Sequence, residues 1–556
     1  MDYYTNVNIM FKYVYVVLLS FLPFVSIFGN EVDYSNFYAL IVYINLLLAI
    51  GVVGIWFKKE TVSISRIEVC VSFLCVMSLI SSMVNGVAVC HFNYYGILSS
   101  IMLVIISKNF VREKIALLNI MLIYNIIIIN LLILVVSTFD ANLMVTHLGN
   151  SGISAIFISV SACIVLKIAS DVRNHKLLVR LLCCLLIIAD LYYIYIYESR
   201  TAFIVIAIFL LIGGMRRNRC VRFVLFVVLA LVFMLAMDGN VTKYQSFVGR
   251  SFILKNCVSL FMRNPLIGNG GIGSFSVKYP MQQAQYFSTY TEMDGYFMTA
   301  DNVMVACNEY VQLLCETGII GVGICVVIAF YLIKQTKNCF FRKVILFSIL
   351  VSALFYYILH TALFCALLLI CMVVASALSP PLFQIKLSNS NTSLLGVVVI
   401  AAMIYSVHHF MESKTIRKYI ENRSVSECQG KYIVRNFKEN KVYIASIAML
   451  NNTEEIDNNI NKLIVHSDIL FHQGQKLRRQ KKFRHAMERL QLASCICPNR
   501  FRYKYEMFKI YKETNDMHNA YKMAVHINKM PVKIHSPTVL AIKNDTKTFL
   551  QNHNVK

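Results

Sequence analysis

Thirteen apolar stretches run along this chain, at 11–29, 38–57, 67–84, 92–107, 115–137, 151–169, 177–196, 200–214, 221–237, 305–333, 343–360, 361–379 and 393–409. A helix needs about 20 apolar residues to cross the hydrocarbon of a bilayer, and most of these stretches reach that length. The run at 200–214 is short and reads as one part of a longer, bent element. Of the 556 residues, 58% are hydrophobic and 15% charged, a balance that a soluble globular domain does not tolerate. The expected fold is therefore an all-α polytopic membrane protein with about 12–13 transmembrane helices. The first stretch has no small-residue cleavage site and is followed by further spans, so it reads as a retained helix.

The net charge of +24 would suit a nucleic-acid partner if it were concentrated on one face. It follows the connections instead. With the N-terminus inside, the inner connections hold Lys58, Lys59 and Arg66; Lys108, Arg112 and Lys114; Arg173, Lys176 and Arg180; Arg216, Arg217, Arg219 and Arg222; and Lys334, Lys337, Arg342 and Lys343. The outer connections 29–37, 85–91 and 138–150 hold no Lys or Arg, but do hold Glu31, Asp33 and Asp140. This is the positive-inside pattern, and it excludes a nucleic-acid role for the membrane part. Most of the 17 cysteines, among them Cys70, Cys75, Cys163, Cys183, Cys184 and Cys371, lie within apolar runs and behave as small hydrophobes. Cys495 and Cys497 are a weakly suggestive C-x-C pair.

Nine spans precede the more polar interval 238–304, which places this long loop outside. It contains "RNPLIGNGGIGSF", with Gly268, Gly270 and Gly273 in the spacing G-x-G-x-x-G. A dinucleotide fold needs a strand before those glycines, a helix after them and a carboxylate about 20 residues on. Glu292 is near that spacing, but no strand precedes the glycines and no helix-then-strand pattern follows. The dinucleotide reading fails.

Three segments in order point elsewhere: "YESRTAFIVIAIF" with Ser199 and Arg200, "GRSFILKNCVSLFMRNPLIGNGGIGSF" with Arg250 standing 15 residues before Pro265, and "CNEYVQLLCETGIIG" at 307–321. Together they resemble the O-antigen ligase and polymerase family, membrane glycosyltransferases that act on polyprenyl-diphosphate-linked glycans. The resemblance covers roughly residues 150–380. It implies that Arg200 and Arg250 grip the lipid diphosphate and serve in catalysis. Glu309, a carboxylate beside them in the pattern, is suited to accept the acceptor's proton, or else to cap or ion-pair the start of the next span. Asn308, Tyr310, Gly268, Gly270 and Gly273 are implied to contact substrate. Arginine suits the first role, because it keeps its charge in a partly dry site and its donors match phosphate oxygens. Each arginine has a plain reading too: Arg200 as an interfacial side chain paired with Glu198, Arg250 as one charge of a basic loop with Lys255 and Arg263. The glycines could equally just let the loop fold back between two helices. The Tyr-, Phe- and Gln-rich stretch "YPMQQAQYFSTYTEMDGYF" suits sugars or a membrane interface.

One position departs from the family. Where its pattern has His before "NEY", this chain has Cys307, and a thiol is a poor substitute for a general base. His360 could bring an imidazole from another span, although a lone histidine at a membrane edge is more often structural. No D-x-D motif or carboxylate cluster stands in the outer loop, so no metal and no cofactor is expected.

Beyond the last span, 412–460 reads as a polar, irregular linker. The segment from 461 to 540 resembles tetratricopeptide repeats: Leu470, Gly474, Leu477, Phe483, Ala486, Leu490, Ala493 and Pro498 fall at the repeat's offsets, and a shift of 34 carries Leu477 to Tyr511 and Ala486 to Ala520. Two such units are fewer than independent stability requires, so docking on residues 1–411 or on a protein partner is expected. The reading as a whole is a multi-pass protein of the bacterial inner membrane with a periplasmic active face. It would move a glycan from a polyprenyl-diphosphate donor to lipid A core, a protein or another glycan, among membrane lipids. The alternatives are a flippase for the same lipids or a non-catalytic glycan-binding protein.

Overall fold

The computed structural model describes residues 2–27, 34–58, 61–88, 90–139, 150–171, 177–211, 241–289, 295–336, 339–450 and 453–553. Eight helices among them are long and apolar enough to cross a membrane: Ser35–Trp56, Arg66–Val84, His91–Val111, Ile115–Phe139, Ser151–Ser170, Leu177–Ile196, Glu309–Thr336 and Asn389–Glu421. Ile9–Val25, Arg200–Leu210 and Ala362–Leu378 are shorter apolar helices at three more of the expected positions. The protein is an all-α polytopic membrane protein. Among the described residues the one sheet is a two-stranded ribbon, Thr61–Ile64 against Phe383–Lys386. The span expected at 221–237 lies outside the described residues, as do Lys59, Arg173, Lys176, Arg216, Arg217, Arg219, Arg222, Lys337, Glu31, Asp33, Asp140 and Glu292.

The expected span 343–360 is broken. Its helix runs only over Phe340–Ser352, and the chain then unwinds to a single 3-10 turn, Ile358–His360. Unwound backbone at membrane depth survives only where protein or a polar cavity satisfies it. Here the start of the Glu309–Thr336 helix does so, as described below.

The ribbon joins the connection after the Ser35–Lys58 helix to the one after Ala362–Leu378, so both sit at one end of the bundle. At that end Lys108 donates to Glu68 at 2.9 Å, both side chains being almost fully buried. Glu68 also closes a capping box with Ser65 and accepts from Ser376. The loop that carries the glycines lies at the opposite end.

The segment 412–460 is not an irregular linker. The last spanning helix continues to Glu421, and Glu427–Asn436, Lys441–Leu450 and Glu454–Asn461 follow as helices. Their apolar faces (Ile433, Val434, Phe437, Ile444, Ile447, Ile456, Ile460) share one core with Tyr38, Ile41 and Phe92 of the membrane helices. Within it His409 Nε2 lies 3.0 Å from Glu439 Oε1, and the Tyr38 hydroxyl donates to the same oxygen at 2.9 Å. The polar outer faces of these helices made the stretch look unstructured.

The C-terminal helices are Ser467–Arg479, Phe483–Ile496, Phe501–Glu513, Met517–Lys529 and Pro537–His553. The third and fourth begin 34 residues after the first and second. Leu470, Leu477, Ala486, Leu490 and Ala493 are buried between them. Gly474 is needed there, since a Cβ would meet Leu490 Cγ at 2.7 Å. This lobe docks on the loop that carries the glycines. Gln283 Nε2 donates to the Ile496 carbonyl (2.6 Å), Asn499 Nδ2 to those of Met298 and Ala300 (3.2 and 2.8 Å), and the Val465 N–H to that of Ser276 (3.2 Å). Arg500 pairs with Asp301 at 3.2 Å. Ala284 and Phe297 complete the lobe's two cores.

Candidate functional site

The glycine loop is built by its neighbours. It threads between the helices Arg66–Val84 and Glu309–Thr336, and each amide finds a protein acceptor. The Gly268 N–H donates to the Asn264 carbonyl (2.9 Å), that of Asn269 to Cys315 O (2.9 Å), and that of Gly271 to Glu316 O (2.9 Å). Ser81 Oγ accepts from Gly270 and Gly271, both at 3.1 Å, and Ser78 Oγ accepts from Ile272 at 2.8 Å. The Gly273 and Phe275 N–H groups donate to Glu316 Oε1 at 3.1 and 3.2 Å. These donors, those of Gly268, Gly270 and Gly273 among them, are spent inside the protein. The glycines' role is close approach. Gly268 has φ +76, and a Cβ there would lie 2.3 Å from Glu316 O. The helix opposite answers with a break of its own at Gly318 (φ +67), whose Cβ would lie 2.3 Å from Leu266 O. A side chain at either position would push the two strands of backbone apart.

The residues 308–310 are held by the unwound segment. Asn308 donates from Nδ2 to the Leu354 carbonyl (3.0 Å), and its Oδ1 accepts from the Val311 N–H (3.1 Å), so it caps the helix. The Tyr310 hydroxyl donates to the Leu350 carbonyl at 2.7 Å. Both side chains position the helix start.

Glu309 is different. Its N–H donates to the Ala353 carbonyl (2.9 Å), and its carboxylate is buried. Oε1 accepts from the Leu359 N–H (2.7 Å) and lies 3.3 Å from His360 Nδ1. The Nε2 of that imidazole lies 3.1 Å from Gln312 Nε2, and Gln312 reaches Glu316 Oε1 at 3.3 Å. With Nδ1–H donating to the carboxylate, Nε2 carries the lone pair that accepts from the amide, which assigns the tautomer. A polar row therefore runs from Glu309 through His360 and Gln312 to Glu316 and the glycine loop. The His360 side chain is 36% exposed, so the row opens to the surface there. His360 stands 51 residues after Glu309, and only the break in its span brings it there. Gln312 and Glu316 share a helix face with Glu309 at spacings of three and seven, a pattern that sequence reading could have caught.

Arg200 opens the helix Arg200–Leu211 after a left-handed turn at Glu198 (φ 47) and the buried Ser199. It is half-buried. Arg250, exposed on the helix Val241–Phe261, lays its guanidinium 5.7 Å over the Tyr356 ring. Tyr356 belongs to the unwound segment that holds Asn308 and Glu309, so Arg250 borders the polar row. No bond between Arg200 and that row is seen. Among the described residues neither arginine has a carboxylate partner. The neighbouring cations are engaged: Arg263 donates to Gln285, and Lys255 lies 4.7 Å over the Tyr286 ring. Lys278, not singled out in the sequence, donates to the Asn85 carbonyl at 3.4 Å. Burial, with Arg263 nearby, holds its ammonium below the usual lysine range.

Residues 183–326 match the family model described as O-antigen ligase. The match takes in Ser199, Arg200, Arg250, the glycine loop and the segment 307–321, and is narrower than the 150–380 expected. His360 and the C-terminal lobe lie outside it. Among curated proteins, none matches the chain.

Proposed function

From the premise that residues 183–326 form an O-antigen ligase domain, a domain of glycan transfer, we propose that the chain moves a glycan from a polyprenyl-diphosphate carrier to an acceptor hydroxyl. The work would take place at the periplasmic face of a bacterial inner membrane. The observation that carries this reading is the pair of arginines within the matched segment, Arg250 beside the Glu309–His360 row and Arg200 at a helix start, neither with a carboxylate partner among the described residues.

In the reaction the acceptor oxygen attacks the anomeric carbon. The bond from that carbon to the diphosphate oxygen breaks, and the electron pair leaves with the lipid diphosphate. The acceptor's proton passes to Glu309, whose Oε2 receives no hydrogen bond from the described residues, or to the His360 imidazole that Glu309 orients. Arg200 and Arg250 stabilise the charge that grows on the leaving group. Cys307 takes no part, and no metal or cofactor is required. The C-terminal helix pairs, read as tetratricopeptide-like, hold the loop in place and present a surface to the acceptor.

Alanine substitution tests the clamp. Hydrogen bonds to charged groups contribute roughly 1.5–3 kcal/mol each, so Arg200→Ala and Arg250→Ala should each slow transfer by about tenfold to a hundredfold. Lysine should restore only part of it, because an ammonium lacks the planar fork. Lys255→Ala and Arg263→Ala should stay near the parent rate. Equal tolerance at all four positions would remove the diphosphate site and favour a transporter.

A further inference from the structure

The C-terminal region contains a cleft of about 190 Å³ between the helix Glu454–Asn461 and the first helix pair, Ser467–Arg479 and Phe483–Ile496. At ~30 Å³ per water that is room for about six waters, or for one sugar ring. Its lining side chains are mostly polar: acids Glu454, Asp457 and Glu488 face bases Lys476, Lys482 and Arg489, with Leu477 as the one apolar residue and the His485 imidazole as the one ring.

Most of these groups are already paired. Lys476 Nζ donates to Asp457 Oδ2 at 2.7 Å, Lys482 to Glu454 at 3.0 Å, and Arg489 to Asn458 at 3.3 Å. One is not. Asp457 is 7% exposed, and its Oδ1 has no hydrogen-bond partner. A buried carboxylate oxygen without a donor is costly, and a ligand that supplies one recovers that cost. The charges balance, so an ionic ligand would gain little net field and would have to break existing pairs. With Leu477 as the one apolar residue and the His485 imidazole as the one ring, a nucleobase or an apolar peptide has little to rest on. A hydroxyl-rich neutral ligand fits, because each O–H can donate to Asp457 while its oxygen accepts from Lys or Arg.

We propose that this cleft is a glycan subsite, one sugar unit deep, with Asp457 accepting from a sugar hydroxyl. The helix that forms one wall, Phe483–Ile496, packs on Phe275–Thr289 of the site loop, so a glycan held there is tied to the element that carries the candidate site. The inference rests on the glycan-transfer reading for its choice of ligand.

The test uses the full-length protein in detergent and, as probe, the oligosaccharide released by mild acid from the cell's own lipid-linked donor. Binding is read by saturation-transfer NMR, and transfer is assayed separately on the same preparation. Asp457→Asn should weaken probe binding tenfold or more, and Arg489→Gln, a change outside the helix cores, at least threefold. Transfer at saturating donor and acceptor should change less than twofold. Equal binding by parent and both variants, or no binding by the parent, overturns the subsite. A parent that binds the probe through Asp457 yet transfers nothing would instead refute the transferase reading and leave the cleft assigned. A basic peptide that displaces the probe and binds more tightly would assign the cleft to a protein partner and overturn the glycan.

Discussion

Glu309 and His360, 51 residues apart in the sequence, meet in three dimensions at 3.3 Å. Motif spacing pointed to Arg200, Arg250 and Glu309, because spacing within one loop or helix start survives in the sequence. His360 could not be placed that way: its position depends on a span that stops at Ser352 and unwinds. If the pair handles the acceptor's proton, Glu309→Gln and His360→Gln should each lower turnover by about 10²–10⁴-fold, the usual contribution of a general base. Donor affinity should stay near the parent value. Cys307→Ser should keep near-parent turnover, and a dead serine variant would return the chemistry to the thiol. All three follow from steady-state rates on one donor.

At the scale of elements, the glycine loop and the broken helix opposite it form one unit. Gly268→Ala and Gly318→Ala each force a Cβ onto backbone at 2.3 Å with φ positive, and should each destabilise by roughly 2–4 kcal/mol from strain and overpacking. Gly295, with nothing within 4 Å of a Cβ, is the control and should tolerate alanine; thermal unfolding in detergent reads all three. The glycine spacing was visible in the sequence, but its use was not, because the amides' acceptors (Ser78, Ser81, Glu316) come from distant helices. The repeat helices were readable from their 34-residue period. The helices of 427–461 were not, because their core is completed by Tyr38, Ile41 and Phe92 from far earlier in the chain.

The lobe also carries a pH prediction. Lys504 is buried, donates to the Pro498 carbonyl and has its pKa pushed down to about 8 by that burial. Between about 8 and the ordinary lysine value the unfolded lobe binds more protons than the folded one, so stability should rise with pH across that window. Lys504→Met should flatten the rise, as melting curves at pH 7.5 and 9.5 would show. A slope that survives the substitution would assign it to another group.

For the whole molecule, the spans and their charge bias were readable because the bilayer enforces both. The lobe's position was not, since long domains escape the charge rule; its contacts with Gln283, Asp301 and Phe297 put it at the end of the bundle that holds the site loop. Removing residues after 466 should expose Val277, Ala284 and Phe297 and make the loop sensitive to protease, whereas uncut loops would show that the lobe is not its support. Ser288 is exposed on that loop, and a Ser288→Cys variant should label from outside in intact cells. Labelling only after the inner face is opened would turn the site around. The central claim is glycan transfer itself, and the purified full-length chain tests it most directly. Given a polyprenyl-diphosphate-linked oligosaccharide and an acceptor hydroxyl in detergent, without ATP or an ion gradient, it should release one polyprenyl diphosphate for each new glycosidic bond. A donor that binds but is never cleaved, across acceptors from lipid A core to glycan, would contradict the account.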